Sequence, residues 1–208
     1  MLKIWGRLNS INVQKVVWAA AELGLPFERI DAGMQFGVVD TPEYLAKNPN
    51  GLVPCVEDDG LVLWESNAII RYLAAKHADR KPSLWPADPA RRALADRWMD
   101  WQHTTLSPAI NAAFVGLVRT PPEKRDQAAI DASIALYEQK SAILDAHLAS
   151  HEWVGGDAFS MGDIPVGAVA HRWLNMPVTP QPRPHIERWY KAIRNRPAAG
   201  QALILPVT

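Results

Sequence analysis

Residues 48–66, NPNGLVPCVEDDGLVLWES, constrain this chain more than any other stretch. Asp59-Gly60 stands between two apolar runs, and that dipeptide is a strong short-range hairpin signal. Val53-Pro54 opens the first of the two strands. Proline cannot donate to a strand ladder, so it marks an edge, a strand start or a cis bond. Glu65-Ser66 ends the second strand and begins a helical run, Asn67 to Lys76, with Ile69, Tyr72 and Leu73 on one face. In that order, Val53 can offer its own N–H and C=O to an extended peptide. Glu65 and Ser66, at a helix N-terminus, can hold the ammonium and carboxylate of a free amino-acid head. The plainer alternative is a simple hairpin with Ser66 as an N-cap.

Elements before this stretch extend the pattern. Leu2 to Trp5 reads as a strand and Gly6 to Ile11 as a loop. Asn12 to Leu23 reads as a helix with Val13, Val16, Val17 and Ala20 on one face, stopped by Gly24. Pro26 to Ile30 is a second strand, and two strands joined by a helix lie parallel. Ala32 to Lys47 carries a short helix near Pro42 to Leu45. Residues 1–80 thus read as a βαβαββα domain. Pro82, Pro86 and Pro89 then punctuate a linker over 81–90.

After it no strand pattern returns, and residues 91–208 read as an all-helical domain. Arg91 to Val118 is one helical stretch with Leu94, Trp98 and Trp101 in register, bent or interrupted at Pro108. Glu123 to Ser150 has Ile130, Ile134, Tyr137, Ser141, Leu144 and Leu148 on one face. Ser160-Met161-Gly162-Asp163 has the form of a capping box with Asp for Glu, and Phe159 and Ile164 sit where a hydrophobic staple would. The last clear helix runs from Pro184 to Asn195 with Ile186, Trp189 and Ile193 on one face.

The 22 basic and 22 acidic residues cancel, which argues against nucleic acid or an anionic membrane as the main partner. No apolar run approaches the length of a membrane span, and the N-terminus does not read as a signal peptide. One cysteine excludes an internal disulfide and suits a reducing cytoplasm. Cys55 alternates into a core and reads as a small buried hydrophobe. The six histidines, at positions 77, 103, 147, 151, 171 and 185, show no metal spacing and read as surface or helix-end residues. Nine tryptophans point to a helical part with bulky aromatic packing, and to an apolar pocket.

The segments NPNGLVP, LWESNAIIRYL, SMGDIPVG and WYKAIRNRPA resemble glutathione S-transferases in both halves of the chain. The resemblance implies a thioredoxin-like glutathione-binding domain followed by a helical domain, with glutathione as co-substrate and no metal. Glutathione would lie with its γ-glutamyl end at Glu65 and Ser66 and its cysteinyl backbone on Val53, beside Pro54. Ser10 falls where serine-type members (theta and delta classes) keep their catalytic serine, and Asn12 matches an asparagine that nu-class-like bacterial members place beside the sulfur. The loop before the first helix holds no tyrosine and no cysteine, so neither a tyrosine-type nor a mixed-disulfide mechanism has a candidate there. A free thiol ionises near pH 8.5, and a helix N-terminus with one or two donors lowers that value. Ser10 is the expected main donor. Both residues are also preferred N-caps, which is the competing structural role.

The resemblance further implies an acceptor pocket between the Leu8 loop and the first long helix, with Trp101, Thr105 and Leu106 as candidates and His103 on the same helix. It implies a cytoplasmic homodimer acting in detoxification on a small electrophile. Two rival readings stand beside conjugation: glutathione-dependent disulfide reduction at the same site, and a binding or scaffold module that kept the fold without the chemistry. One departure is visible. Ala32 to Val39 offers no His or Lys for the glycyl carboxylate, only Met34, Gln35 and Phe36.

Overall fold

A computed structural model describes residues 1–81 and 83–208; Pro82, one of the linker prolines, lies outside the described residues. The chain divides into two compact units, residues 1–86 with 197–204, and residues 87–196 with 205–208.

The first unit is built on a four-stranded sheet in the order β2-β1-β3-β4. Strand β1 (Leu2–Trp5) pairs in parallel with β2 (Phe27–Ile30) and antiparallel with β3 (Cys55–Asp58), which pairs antiparallel with β4 (Leu61–Trp64). The parallel pair is joined by α1 (Ile11–Glu22), because parallel neighbours need a crossover connection and a helix supplies it. Helix α1 ends in a Schellman motif. Leu25 N–H donates to Ala20 O at 2.9 Å and Gly24 N–H to Ala21 O at 3.0 Å, with Gly24 at φ +60°. The β3–β4 hairpin turns at Asp59 (φ +49°) and Gly60 (φ +87°), the positive dihedrals that favour this pair of residues.

Helices α1 and α3 (Ser66–Lys76) cover one face of the sheet. Ile4, Val13, Val16, Trp18, Ile69, Ile70 and Leu73 are fully buried there, each contributing about 1.5–3 kcal/mol by removal from water. The opposite face carries a smaller cluster of Ala32, Tyr44 and Cys55, supplied partly by the short helix α2 (Pro42–Leu45). Thr41 caps α2, its hydroxyl accepting from Tyr44 N–H at 3.3 Å.

The second unit contains α4 (Pro89–Trp101), α5 (Ser107–Phe114), α6 (Gln127–Leu148), α7 (Asp163–Leu174) and α8 (Pro184–Arg194). Asp88 caps α4 and Asp126 caps α6. Between α4 and α5 the chain stays helical but widens into a π turn over Gln102–Leu106. This is where Pro108 lacks an N–H and crowds the carbonyl four residues back. A second π turn, Val115–Arg119, follows α5. The buried Ser133 hydroxyl of α6 enters this helix, donating to Ala109 O at 2.6 Å and accepting from Ala113 N–H at 3.0 Å.

Three expectations differ in detail. Leu94 is 42 % exposed, and Ala95, Trp98 and Met99 carry the buried face of α4 instead. Residues 123–126 are not part of α6; Pro122–Lys124 form a 3-10 turn. The sequence also placed everything after residue 91 in the helical domain, whereas a short helix α9 (Pro197–Ala202) packs on α1 of the first unit. Six residues of Pro, Ala, Gly and Gln carry no periodic apolar signal, which is why α9 went unseen.

Candidate functional site

The loop before β3 is held from beneath. Tyr44 Oη and Asn48 Nδ2 both donate to Leu52 O, each at 2.7 Å. Asn48 Oδ1 also accepts from the Asn50 main chain at 3.1 Å, an Asx turn. Asn48 is buried, so these bonds are shielded and fix the path of the chain into Val53. The Val53-Pro54 bond is cis. The Val53 side chain packs on the Ala32–Tyr44–Cys55 cluster, while its N–H and C=O have no partner within the described chain. A main-chain donor and acceptor side by side, unpaired in the loop that enters β3, suit an extended peptide.

Strand β4 ends at Trp64 and α3 begins at Ser66 with only Glu65 between them. Glu65 therefore turns the chain in one residue, at φ +68° and ψ 106°. A non-glycine residue in that region costs on the order of 1–3 kcal/mol and persists where the surroundings impose it. Its carboxylate is exposed and makes no hydrogen bond or ion pair in the described chain. Ser66 is buried as the first helical residue rather than as the cap, and its hydroxyl donates to Asn12 Oδ1 at 3.3 Å. The side-chain amide nitrogen of Asn12 remains as a donor. Asn12, Val53, Pro54, Glu65 and Ser66 share one small cavity of about 60 Å³, closed by Asn48, Asn50, Leu52 and Trp64. The Ser66 N–H at the α3 N-terminus, the Glu65 carboxylate and the Ser66 hydroxyl thus meet in a space suited to one amino-acid head.

Ser10 is the N-cap residue of α1 by backbone conformation (φ −82°, ψ 122°), yet its side chain makes no capping hydrogen bond. It is 8 % exposed and does not line the 60 Å³ cavity. Leu8 is half-buried in the loop before it. In the helical unit Trp101 and Thr105 are half-buried, with Trp101 edge-on to Trp98 at 5.0 Å, and His103 is exposed. Leu106 departs from the expectation of a pocket wall. It is fully buried, because the π turn carries it into the unit's own core.

The sequence reading passed over four of the residues that bound the cavity. Asn48, Asn50, Leu52 and Trp64 lie in the very motifs it quoted, and the paired asparagines around Pro49 were the available signal. It also passed over Lys15. This residue is 1 % exposed on α1, and its ammonium donates to Asn67 Oδ1 in the first turn of α3 at 3.0 Å. Histidine 171, read as a surface or helix-end residue, is buried, with Nδ1 2.8 Å from Tyr190 Oη.

Cys55 is fully buried, and burial, reinforced by the Glu57 charge and opposed by Lys47, pushes its thiol up to about 11. It stays protonated at neutral pH and takes no part in thiolate chemistry. Glu57 itself is held low, first by the Lys47 hydrogen bond of 2.8 Å, against a smaller effect of burial. Among the described residues no group of three or more His, Cys, Asp or Glu side chains is placed to hold a metal ion. No described helix is long and apolar enough to cross a membrane.

A sheet of this order and connection, with a cis-proline loop facing a helix start, defines the thioredoxin-like class of peptide-thiol-binding domains, here followed by a helical unit. The glutathione S-transferase N-terminal domain model matches residues 1–75, and the corresponding C-terminal domain model matches residues 99–197. The chain is 49% identical over 210 residues to Glutathione S-transferase GstB of Escherichia coli strain K12, with 100% of both chains covered. It is 31% identical to Glutathione S-transferase 4 of Zea mays, covering 99% of this chain and 94% of that one. Its fold superposes with a TM-score of 0.95 on the theta class glutathione S-transferase of Xanthomonas axonopodis pv. citri with glutathione bound, at 46% identity, covering 100% and 99% of the two chains. The chain belongs to the glutathione S-transferase family.

Proposed function

We propose that this chain is a glutathione transferase that activates the glutathione thiol for attack on a small electrophile. The observation that carries this is one cavity bounded by the unpaired Glu65 carboxylate, the unpaired Val53 main chain and Ser66 at the start of α3. Glu65 takes the γ-glutamyl ammonium, and Ser66 with the first amides of α3 takes the adjacent carboxylate. The cysteinyl unit pairs with Val53 N–H and C=O. This places the sulfur toward the start of α1, where the Ser10 hydroxyl, the Asn12 amide and the helix N-terminus favour the anion. The thiol proton leaves to solvent, the thiolate forms the C–S bond, and the acceptor's leaving group departs with its electron pair. Leu8, in the loop before α1, is a proposed acceptor contact.

The protein acts in the cytoplasm as a homodimer, in detoxification. Leu61, Val62 and Trp64 of β4 are each more than a third exposed, and Leu52 is 66 % exposed, which supports a second copy covering this apolar surface. Calorimetry tests the core of the reading: glutathione binds with measurable heat, and a chloro-nitro-aromatic acceptor is turned over. No heat at millimolar glutathione favours the scaffold reading. Turnover of a small disulfide with none of the aromatic acceptor favours disulfide reduction.

A further inference from the structure

Lysine is almost never fully buried unless the fold pairs it, and Lys15 is 1 % exposed. It belongs to the layer in which α1 packs on α3, where Val13, Val16, Ile69 and Ile70 are fully buried. Its ammonium donates to Asn67 Oδ1 at 3.0 Å. Removing an ammonium from water is costly, and an apolar side chain would fill the same volume without that cost. A cation kept here points to a geometric role.

The place of the bond identifies the role. Asn12 and Lys15 are three residues apart on α1 and share a face. Their partners, Ser66 and Asn67, are consecutive in the first turn of α3. Two ties thus join the start of α1 to the start of α3. The Asn12–Ser66 tie is neutral and long, at 3.3 Å. The Lys15–Asn67 tie is shorter, charge-assisted and shielded by the burial of the lysine, so it is the stiffer of the two. Lys15 itself does not line the 60 Å³ cavity, whereas Asn12, Glu65 and Ser66 do. Glu65, at φ +68°, leads directly into the tied turn, so displacing Asn67 displaces Glu65 and Ser66 with it.

We infer that Lys15 is a positioning residue, which through Asn67 holds the start of α3 where Glu65 and Ser66 meet the γ-glutamyl head of glutathione. The inference rests on the glutathione reading above and adds a residue that touches no part of the ligand.

Calorimetry tests it with two ligands, glutathione and ophthalmate, in which 2-aminobutyrate replaces cysteine and no thiol is present. Lys15→Met should weaken both by the same factor, about tenfold, because the glutamyl head is common to them. In turnover, KM for glutathione should rise by that factor with kcat within about twofold of wild type. Asn67→Ala removes the acceptor and should weaken binding equally, and the double variant should be no weaker than either single one, since both remove one bond. Should Lys15→Met fail to fold, Asn67→Ala, at a half-buried position, decides alone. Affinities within about twofold of wild type, with only stability lowered, overturn the inference and leave Lys15 a packing residue. A loss for glutathione without one for ophthalmate, or a fall in kcat with KM unmoved, also overturns it. Wild-type protein that binds neither ligand overturns the glutathione reading itself, whereas wild type that binds both, with unchanged variants, overturns this inference alone.

Discussion

Two helix starts in this chain use the same residue types to opposite ends. At α7, Asp163 is fully buried and Ser160 nearly so. Asp163 Oδ1 accepts from Val154 N–H at 2.9 Å and Trp189 Nε1–H at 3.0 Å, while Oδ2 accepts from Ser160 N–H at 2.9 Å and its hydroxyl at 3.3 Å. At α3, Glu65 is exposed and unpaired on a positive φ, and Ser66 meets only Asn12. The first arrangement closes on itself and ties the 153–163 turn to α8. The second leaves its polar groups open over a cavity and holds a strained backbone there. An acid and a serine at a helix start thus say little by themselves. Whether their hydrogen-bonding capacity is used up inside the fold separates a structural cap from a binding site.

Substitution should separate the two most sharply at Asp163. Asp163→Ala leaves three N–H donors without their acceptor, so stability should fall by about 3–5 kcal/mol in urea unfolding. A loss below about 1 kcal/mol would show that water replaces the carboxylate and that the turn is not closed. The wild-type protein carries a pH signature of the same site. Burial, opposed by those hydrogen bonds, raises the Asp163 carboxyl from 3.8 to about 6. The folded state then binds the proton more tightly than the unfolded chain. This contribution to stability is greatest below pH 3.8, falls as pH rises to about 6, and is flat above. Asp163→Ala should remove this falling contribution between those limits, so its stability should rise more steeply with pH there than that of the wild type.

Glu65 should show the reverse balance. Glu65→Gly relaxes the positive φ, so stability should rise by about 1 kcal/mol. The same change removes the carboxylate, so glutathione affinity should fall about a hundredfold, the worth of a charged hydrogen bond. Urea midpoints and calorimetry on one preparation check both signs. A stability loss together with unchanged affinity would break the contrast with Asp163.

Much of this contrast was legible in the chain itself. The hairpin at Asp59-Gly60, the cis-proline position and the Glu65-Ser66 junction are local signals, each set by neighbours in sequence. The pairing of Ser160 with Asp163 was legible too, although Gly162 and not Ser160 is the N-cap of α7 and makes no side-chain capping bond. A further partner, Trp189, lies 26 residues on and carried no sign of the pairing. Burial over long range was harder to read. Lys15 looks like a solvated residue until α3 brings Asn67 to it, and Leu106 looks like a pocket wall until the π turn rotates it inward. Helix α9 is too short and too small-chained to announce which unit it joins.

The Ser10 hydroxyl sharpens the comparison at a finer scale. Residues at an N-cap usually hold the helix by a side-chain hydrogen bond worth about 1 kcal/mol. Ser10 occupies that position on α1 without making the bond. Ser10→Ala should therefore cost at most about 0.5 kcal/mol, half the usual price of a cap. If the hydroxyl faces the bound sulfur instead, the same variant raises the pH at which enzyme-bound glutathione ionises by about one unit. The ultraviolet absorbance of the thiolate reads that shift, and glutathione affinity should stay within about twofold because the glutamyl and cysteinyl contacts lie elsewhere. Asn12→Ala provides the control, since it removes the acceptor of the Ser66 hydroxyl and should weaken affinity as well as shift the titration. A full capping penalty in Ser10→Ala with an unmoved thiolate curve would return Ser10 to the structural class that Asp163 exemplifies.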